Sequence, residues 1–297
     1  MPRPPPGTAT PASIVDALKA VAGRKKRPGL ARSRCVRGTY AASDRAKELT
    51  KSQSFTKPSR VLARFSVDGH YPEREDGGSL RRFSFRLGTD GHRSDILLQS
   101  APVHFARTPD QMLAFLKARM PGPDGRPDIE QVEAFSAANP ETLHQADYIA
   151  AHPPPASFAD ATYWGVHAFR ATNAIGETRL IKFKAVPVAG SVKSTSKSAN
   201  QHDLESRISA GDVRFNVMAL LDRPGDPTMD VTIRWPDEDS RETVRLGTVV
   251  ITGIEANDAC DASMFDPANL AEGIDHPADK IFAARCAAYA IALVKRR

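Results

Sequence analysis

Cysteine is scarce in this chain, with three among 297 residues, at positions 35, 260 and 286. Three scattered cysteines build neither a disulfide framework nor a zinc cluster of paired ligands, and the expectation is three reduced thiols. Long hydrophobic runs are absent too. No segment approaches the ~20 apolar residues needed to cross a bilayer, so no membrane partner is expected. The Pro-rich opening MPRPPPGTATPA has neither the charged start nor the apolar stretch of a signal peptide, and a cytoplasmic location is expected. There is no Gly-rich loop of the kind that cradles a nucleotide, and no internal repeat. A net charge of +6 raises nucleic acid as a partner. The only dense basic cluster, Arg24-Lys25-Lys26-Arg27, is short and lacks interleaved aromatics, so nucleic-acid binding is not expected.

What the chain does have is apolar content, 41% of residues, enough for a sizeable core. Apolar alternation predicts about eight strands: 61–67, 81–87, 95–98, 162–169, 179–186, 213–221, 229–235 and 244–254. Helical spacing predicts helices over 12–21, 45–51, 110–118, 129–138, 204–210 and 279–294. The strands run together, punctuated by turns such as Asp90-Gly91 and Gly225-Asp226-Pro227, and do not alternate regularly with helices. An α+β fold with a mainly antiparallel sheet follows. The small, polar stretch 189–200 reads as a surface loop.

The C-terminal helix carries the most specific pattern. Arg285, Tyr289 and Arg296 stand four and seven residues apart, so on a continuous helix they share a face. A guanidinium beside a phenol favours its anionic form, which is a ligand for a ferric ion. Such a pair on its own is also what an ordinary amphipathic surface helix carries.

An ordered set of segments surrounds that helix: RPGLARSRCVRGTY, ARFS, DILLQSAPVHFARTP, NPETLHQ, TYWGVHAF, VRFNVMALLDRPGDPTMDVTIRWP and FDPANLAEGIDHPADKIFAARCAAY. In sequence and spacing they resemble the short catalase-related peroxidases of the haem catalase superfamily, over roughly residues 27–297. The resemblance implies a catalase-like antiparallel β-barrel with surrounding helices, preceded by an N-terminal arm over residues 1–26. It implies haem b as cofactor, a peroxide and a small reductant as partners, and a homo-oligomer, dimer or tetramer, because such arms commonly wrap a neighbour.

The resemblance also implies roles for particular residues. Tyr289 is the axial ligand of the haem iron and Arg285 bonds its oxygen, with His167 and Asp279 behind that arginine. Arg27, Arg64 and Arg296 serve the haem propionates, and Phe105 lines the pocket. The distal side departs from the family pattern. Counting back eight residues from Gly38 places Leu30 where a catalytic histidine is expected. Gln99 stands for the distal asparagine, and Ser66 for the hydroxyl that supports the histidine. His104, in APVHFART, is the one imidazole here that could take over proton transfer, though such a residue is more often part of a pocket wall. Leucine neither accepts nor donates a proton, so the implied activity is a peroxidase with weak or absent catalase turnover. Two alternatives are a haem protein that rearranges hydroperoxides or dehydrates its substrate, and a silent haem- or gas-binding protein.

Overall fold

The structure, a computed structural model, describes residues 8–22, 33–67, 79–155, 157–189 and 201–294. Among the described residues ten strands form one sheet in the order β10-β6-β7-β5-β4-β3-β2-β1-β9-β8, and a further β7–β8 pairing closes eight of them into a barrel. These eight are β1 (Ser33–Ala42), β2 (Ser59–Val67), β3 (Arg81–Leu87), β4 (Ser94–Gln99), β5 (Tyr163–Trp164), β7 (Thr178–Pro187), β8 (Arg214–Leu221) and β9 (Thr243–Glu255). The short strands β6 (Phe169–Thr172) and β10 (Ile274–Asp275) extend the sheet beyond β7. All pairings are antiparallel.

The pleat explains the barrel core. Successive side chains point to opposite faces of a strand. Val61, Ala63 and Phe65 of β2, Phe83, Phe85 and Leu87 of β3, and Phe215, Val217 and Ala219 of β8 therefore fill the interior together. Phe65 stacks on Phe83 at 4.6 Å, and Phe83 meets Phe215 at 4.9 Å. Leu62, Arg64 and Ser66, and Arg82, Ser84 and Arg86, consequently face outward. Gly38 marks the point where β1 and β9 shift register, and a Cβ there would lie 2.0 Å from the carbonyl oxygen of Val250. Only glycine permits that approach.

Helices cover the outside: α1 (Pro11–Ala22), α2 (Ala46–Leu49), α3 (Gln53–Thr56), α4 (Pro109–Ala118), α5 (Ile129–Ala138), α6 (His144–Ala151), α7 (Gln201–Ser209), α8 (Asn257–Ser263) and α9 (Lys280–Val294). Ile14 and Ala17 of α1 bury against Met112, Phe115 and Leu116 of α4 and Ile281 of α9, in a second apolar cluster outside the barrel.

Three expectations need correction. Residues 229–235 form no strand. The Asp230 carboxylate accepts bonds from the backbone N–H and hydroxyl of Thr232, turning the chain into a strap whose Trp235 packs on Ala168 and Leu220. The eighth barrel strand is instead β1. The run 162–169 is broken into β5 and β6 around His167. Third, Cys35 and Cys260 are not free thiols but a disulfide, with Cα atoms 5.8 Å apart. The bond ties the start of β1 to α8, and Asn257 of α8 accepts from the Cys35 backbone N–H. Cys286 is the free cysteine. Of the expected loop at 189–200, residues 190–200 lie outside the described residues.

Closing a loop of 225 residues makes this bond a large constraint on the unfolded chain. Thiol titration of the unfolded, unreduced protein is expected to find one reactive cysteine, not three. The Cys35→Ser/Cys260→Ser double variant is expected to lose roughly 2–4 kcal/mol of unfolding free energy. Three titratable thiols, or an unchanged denaturation midpoint, would contradict it.

Candidate functional site

Helix α9 begins at a single carboxylate. Asp279 Oδ1 accepts the backbone N–H of Phe282 at 2.8 Å, an N-cap contact, while its Oδ2 lies 2.9 Å from Nδ1 of His167. Nε2 of His167 is in turn 2.8 Å from Nη1 of Arg285. With Nδ1–H donating to Asp279, Nε2 accepts from the guanidinium, which requires the neutral imidazole. Burial keeps it neutral: it lowers the His167 pKa, and Arg285 lowers it further, against the hydrogen bond that His167 donates to Asp279. Asp279, 2% exposed, stays ionised because His167, the Phe282 N–H and Arg285 outweigh the cost of its burial.

Arg285 carries the chain one turn along the helix to Tyr289. Burial lowers the arginine's pKa, opposed by the hydrogen bond and charge it shares with the Tyr289 oxygen. The result is a line of four side chains, Asp279, His167, Arg285 and Tyr289. Three come from α9 or its cap. The fourth comes from the β5–β6 connection, where His167 is held edge-on to Phe282 at 5.2 Å.

Tyr289 and Arg285 line a cleft whose other walls come from the barrel and the β5 region. The barrel contributes Arg82, Ser84, Leu97, Leu98 and Gln99, and the β5 region contributes Trp164 and Val166. Among the described residues no group of three or more His, Cys, Asp or Glu side chains could hold a metal ion. A lone phenol, steadied by a guanidinium and lining a cleft, suits an iron that brings its own ring of ligands.

The comparisons with known proteins agree. A sequence model of the catalase family matches residues 25–297. The chain belongs to the catalase family. It is 30% identical to a catalase-related peroxidase of Synechococcus elongatus, across 97% of this chain and 88% of that one. It is 29% identical to a catalase-related peroxidase of Mycolicibacterium paratuberculosis, across 98% and 96%. Among solved structures, catalase A of Saccharomyces cerevisiae superposes with a TM-score of 0.75 at 20% identity, and a bacterial catalase with 0.74 at 21%. Each match covers 90% of this chain, which spans 60% and 56% of those larger catalases.

Arg27, Leu30 and Arg296, which family resemblance singles out, lie outside the described residues. The other candidates are placed. Cross-strand register aligns Ser33 with Ser66, Ser66 with Arg82, Arg82 with Gln99 and Gln99 with Trp164, one continuous row on the outer barrel face. Of the expected site residues, Gln99, Arg285 and Tyr289 line the cleft itself. Arg64, expected at a propionate, donates from Nη2 to Asp261 of α8 at 2.7 Å, so it already has a carboxylate partner. His104 stacks on Phe105 at 4.3 Å, and its Nδ1 lies within 3.2 Å of both the carbonyl oxygen and the N–H of Ala106. Its pKa falls to about 3 through burial and the nearby charge of Arg285. His144 Nδ1 bonds the Thr232 carbonyl and anchors the strap. Sequence reasoning missed Arg82. An arginine alternating with apolar residues in a strand reads as a solvent-facing charge, and only the register shows which row it joins.

The buried histidines give acid sensitivity a sign. The unfolded chain protonates each imidazole below about pH 6.5, while the folded protein holds His104 and His167 neutral, so stability falls as pH drops through that value. Asp279 adds to this only below about pH 4, where the unfolded carboxyl takes up a proton that the folded one resists. In His104→Phe the loss of unfolding free energy with acidification below about pH 6 should be shallower by about 1.4 kcal/mol per pH unit, read from urea melts. An unchanged slope would show that folded His104 is protonated.

Proposed function

We propose that this protein is a haem-dependent, catalase-related peroxidase that reduces hydrogen peroxide or organic hydroperoxides with electrons from a small reductant. The observation that carries the reading is the Asp279–His167–Arg285 line ending on Tyr289 in the wall of the cleft. Haem b, when bound, supplies the redox-active iron, and tyrosinate is an established haem ligand. Tyr289 holds the iron, and Arg285 and its two partners fix the phenol oxygen and limit how much negative charge it donates. On family grounds Phe105 would lie against the haem and Arg27 and Arg296 would serve its propionates. Arg64 does the same while it remains bonded to Asp261. Reduction of a hydroperoxide ROOH consumes two electrons and two protons and yields ROH and water, the electrons coming from the reductant.

Efficient catalase turnover needs a group that takes a proton from one peroxide oxygen and returns it to the other. Leu30 at the distal position offers none, and the family's asparagine is replaced by Gln99. His104 remains neutral far below physiological pH and is held against Phe105 and Ala106. The reading is therefore a peroxidase with weak oxygen release. No helix of the described residues is long and apolar enough to cross a membrane. A cytoplasmic location sits against the Cys35–Cys260 disulfide, since cytosolic thiols are normally kept reduced. A homo-oligomer, dimer or tetramer, is part of the proposal on family grounds.

Tyr289→Phe is expected to abolish retention of haem through gel filtration and to remove the ferric charge-transfer band. A variant with full haem content and an unchanged spectrum would remove Tyr289 as the ligand. The haem-loaded parent is expected to oxidise dye with cumene hydroperoxide while releasing little oxygen from hydrogen peroxide. Leu30→His should raise oxygen release by roughly 10²–10⁴, the usual contribution of a general acid–base. Rapid oxygen release by the parent, unchanged in the variant, would contradict the assignment of Leu30.

A further inference from the structure

Trp164 ends the outer row of the barrel, paired with Gln99, and among the described residues it and Tyr289 are the aromatic side chains lining the cleft. Further rings continue outward from it. Tyr148 of α6 meets Trp164 edge-on, with ring centroids 5.9 Å apart. His152, just past the end of that helix, stacks on Tyr148 at 4.6 Å, and its Nδ1 lies 3.2 Å from the Tyr148 carbonyl oxygen. Residues four apart on a helix share a face, which is why these two rings meet. Trp164 and Tyr148 are half-buried and His152 is exposed, so the three lead from the cleft wall to the surface. Their chemistry differs from that of the barrel interior, where Phe65, Phe83 and Phe215 stack. Phenylalanine gives up an electron with difficulty, whereas indole and phenol are the most readily oxidised rings in proteins.

The surroundings give this line a direction. The Trp164 Nε1 is buried without an acceptor, so an indole that has lost an electron keeps its proton and its positive charge. The Lys184 ammonium lies over the same ring at 5.2 Å, and two like charges repel at that distance. Lys184 meets Asp239 only at 3.5 Å, through an exposed carboxylate that water screens. A positive hole is therefore disfavoured on Trp164 and moves on. At Tyr148 the nearby Arg234 guanidinium, 5.9 Å from the ring, is already neutralised by Glu238 at 2.8 Å and Asp239 at 2.7 Å. The Tyr148 hydroxyl is not buried, so water can receive its proton.

We propose that Trp164 and Tyr148 relay electrons into the cleft, and that the surface at Tyr148 and His152 is a second substrate site, where phenols or aromatic amines too large for the cleft are oxidised. This rests on the haem reading given above. Trp164 gives an electron to the oxidised cleft and is refilled from Tyr148, whose phenol proton passes to water. The Tyr148 phenoxyl then takes an electron and a proton from the O–H or N–H of the reductant, which leaves as a radical. Two such rounds deliver the two electrons that a hydroperoxide consumes, and the two protons released to water balance those taken up in forming ROH and water.

The test uses the haem-loaded protein, cumene hydroperoxide as oxidant and tyramine coupled to high-mass dextran as a reductant that cannot enter the cleft. The parent is expected to oxidise the dextran-bound phenol and, without reductant, to give a tyrosyl radical in freeze-quenched electron paramagnetic resonance. Tyr148→Phe keeps the ring packing. It is expected to lose that radical and most of the dextran turnover, while peroxide oxidises the variant as fast as the parent in stopped flow. Trp164→Leu keeps Tyr148 but breaks the ring contact, and is expected to lose the same turnover. Dextran turnover absent from the parent, or undiminished in either variant, overturns the proposal. So does a Tyr148→Phe protein that reacts more slowly with peroxide itself, because Tyr148 would then act on the cleft and not as a relay. A parent that takes up no haem would instead bring down the haem reading, and this proposal with it.

Discussion

The Asp279 carboxylate is the contact on which the site depends, because its two oxygens do two different jobs. One caps the first turn of α9 and so decides where the helix begins and which residues face the cleft. The other orients His167. Helical geometry then carries Arg285 and Tyr289 to the same face one turn apart. Separating these jobs would leave the helix free to start one residue earlier or later, and a shift of one residue rotates a side chain by about 100° around the axis. His167 could then no longer meet Arg285. The neutral imidazole is essential to the same arrangement: a protonated His167 would face a guanidinium with no acceptor between them.

The barrel contributes a fixed lattice more than a container. Its interior is filled by stacked phenylalanines and is closed to ligands, so its chemistry is presented on the outer face, where residues two apart on each strand line up with those of the next. Two rows matter. Ser66, Arg82 and Gln99 stand side by side in one, and Cys35, Arg64, Ser84 and Leu97 in the other. The second row is pinned at its edge by the disulfide to α8, the helix that also supplies Asp261 to Arg64. The Arg86–Asp95 pair binds the chain that leaves α8, with Asp95 also accepting the Asp266 N–H. The path from β9 to α9 is thereby tied to the barrel at several points before it reaches Asp279.

Much of this is legible in the chain because it is local. The 129–138 helix and the 81–87 strand have the bounds that periodicity predicts, and α9 starts one residue after its capping aspartate. His167 and Asp279 were legible only through the resemblance, since residues 112 apart carry no local signal that they touch. The misreadings share a cause. Val231 and Ile233 alternate as in a strand, but Asp230 bonds Thr232 and the backbone turns instead. Cys35 and Cys260 look unpaired because 225 residues separate them. Arg82 looks like a surface charge until pairing with β2 and β4 assigns its neighbours. In each case a contact between distant parts of the chain outweighs the local pattern.

In the proposed function Tyr289, set by Asp279, His167 and Arg285, is the ligand of a ferric haem. Resonance Raman spectroscopy of the haem-loaded protein, excited in the charge-transfer region, tests it most directly. The ring and iron–oxygen modes of a coordinated tyrosinate are expected, shifted when the protein is produced with isotopically labelled tyrosine. An iron–imidazole or iron–thiolate mode insensitive to that label would contradict it.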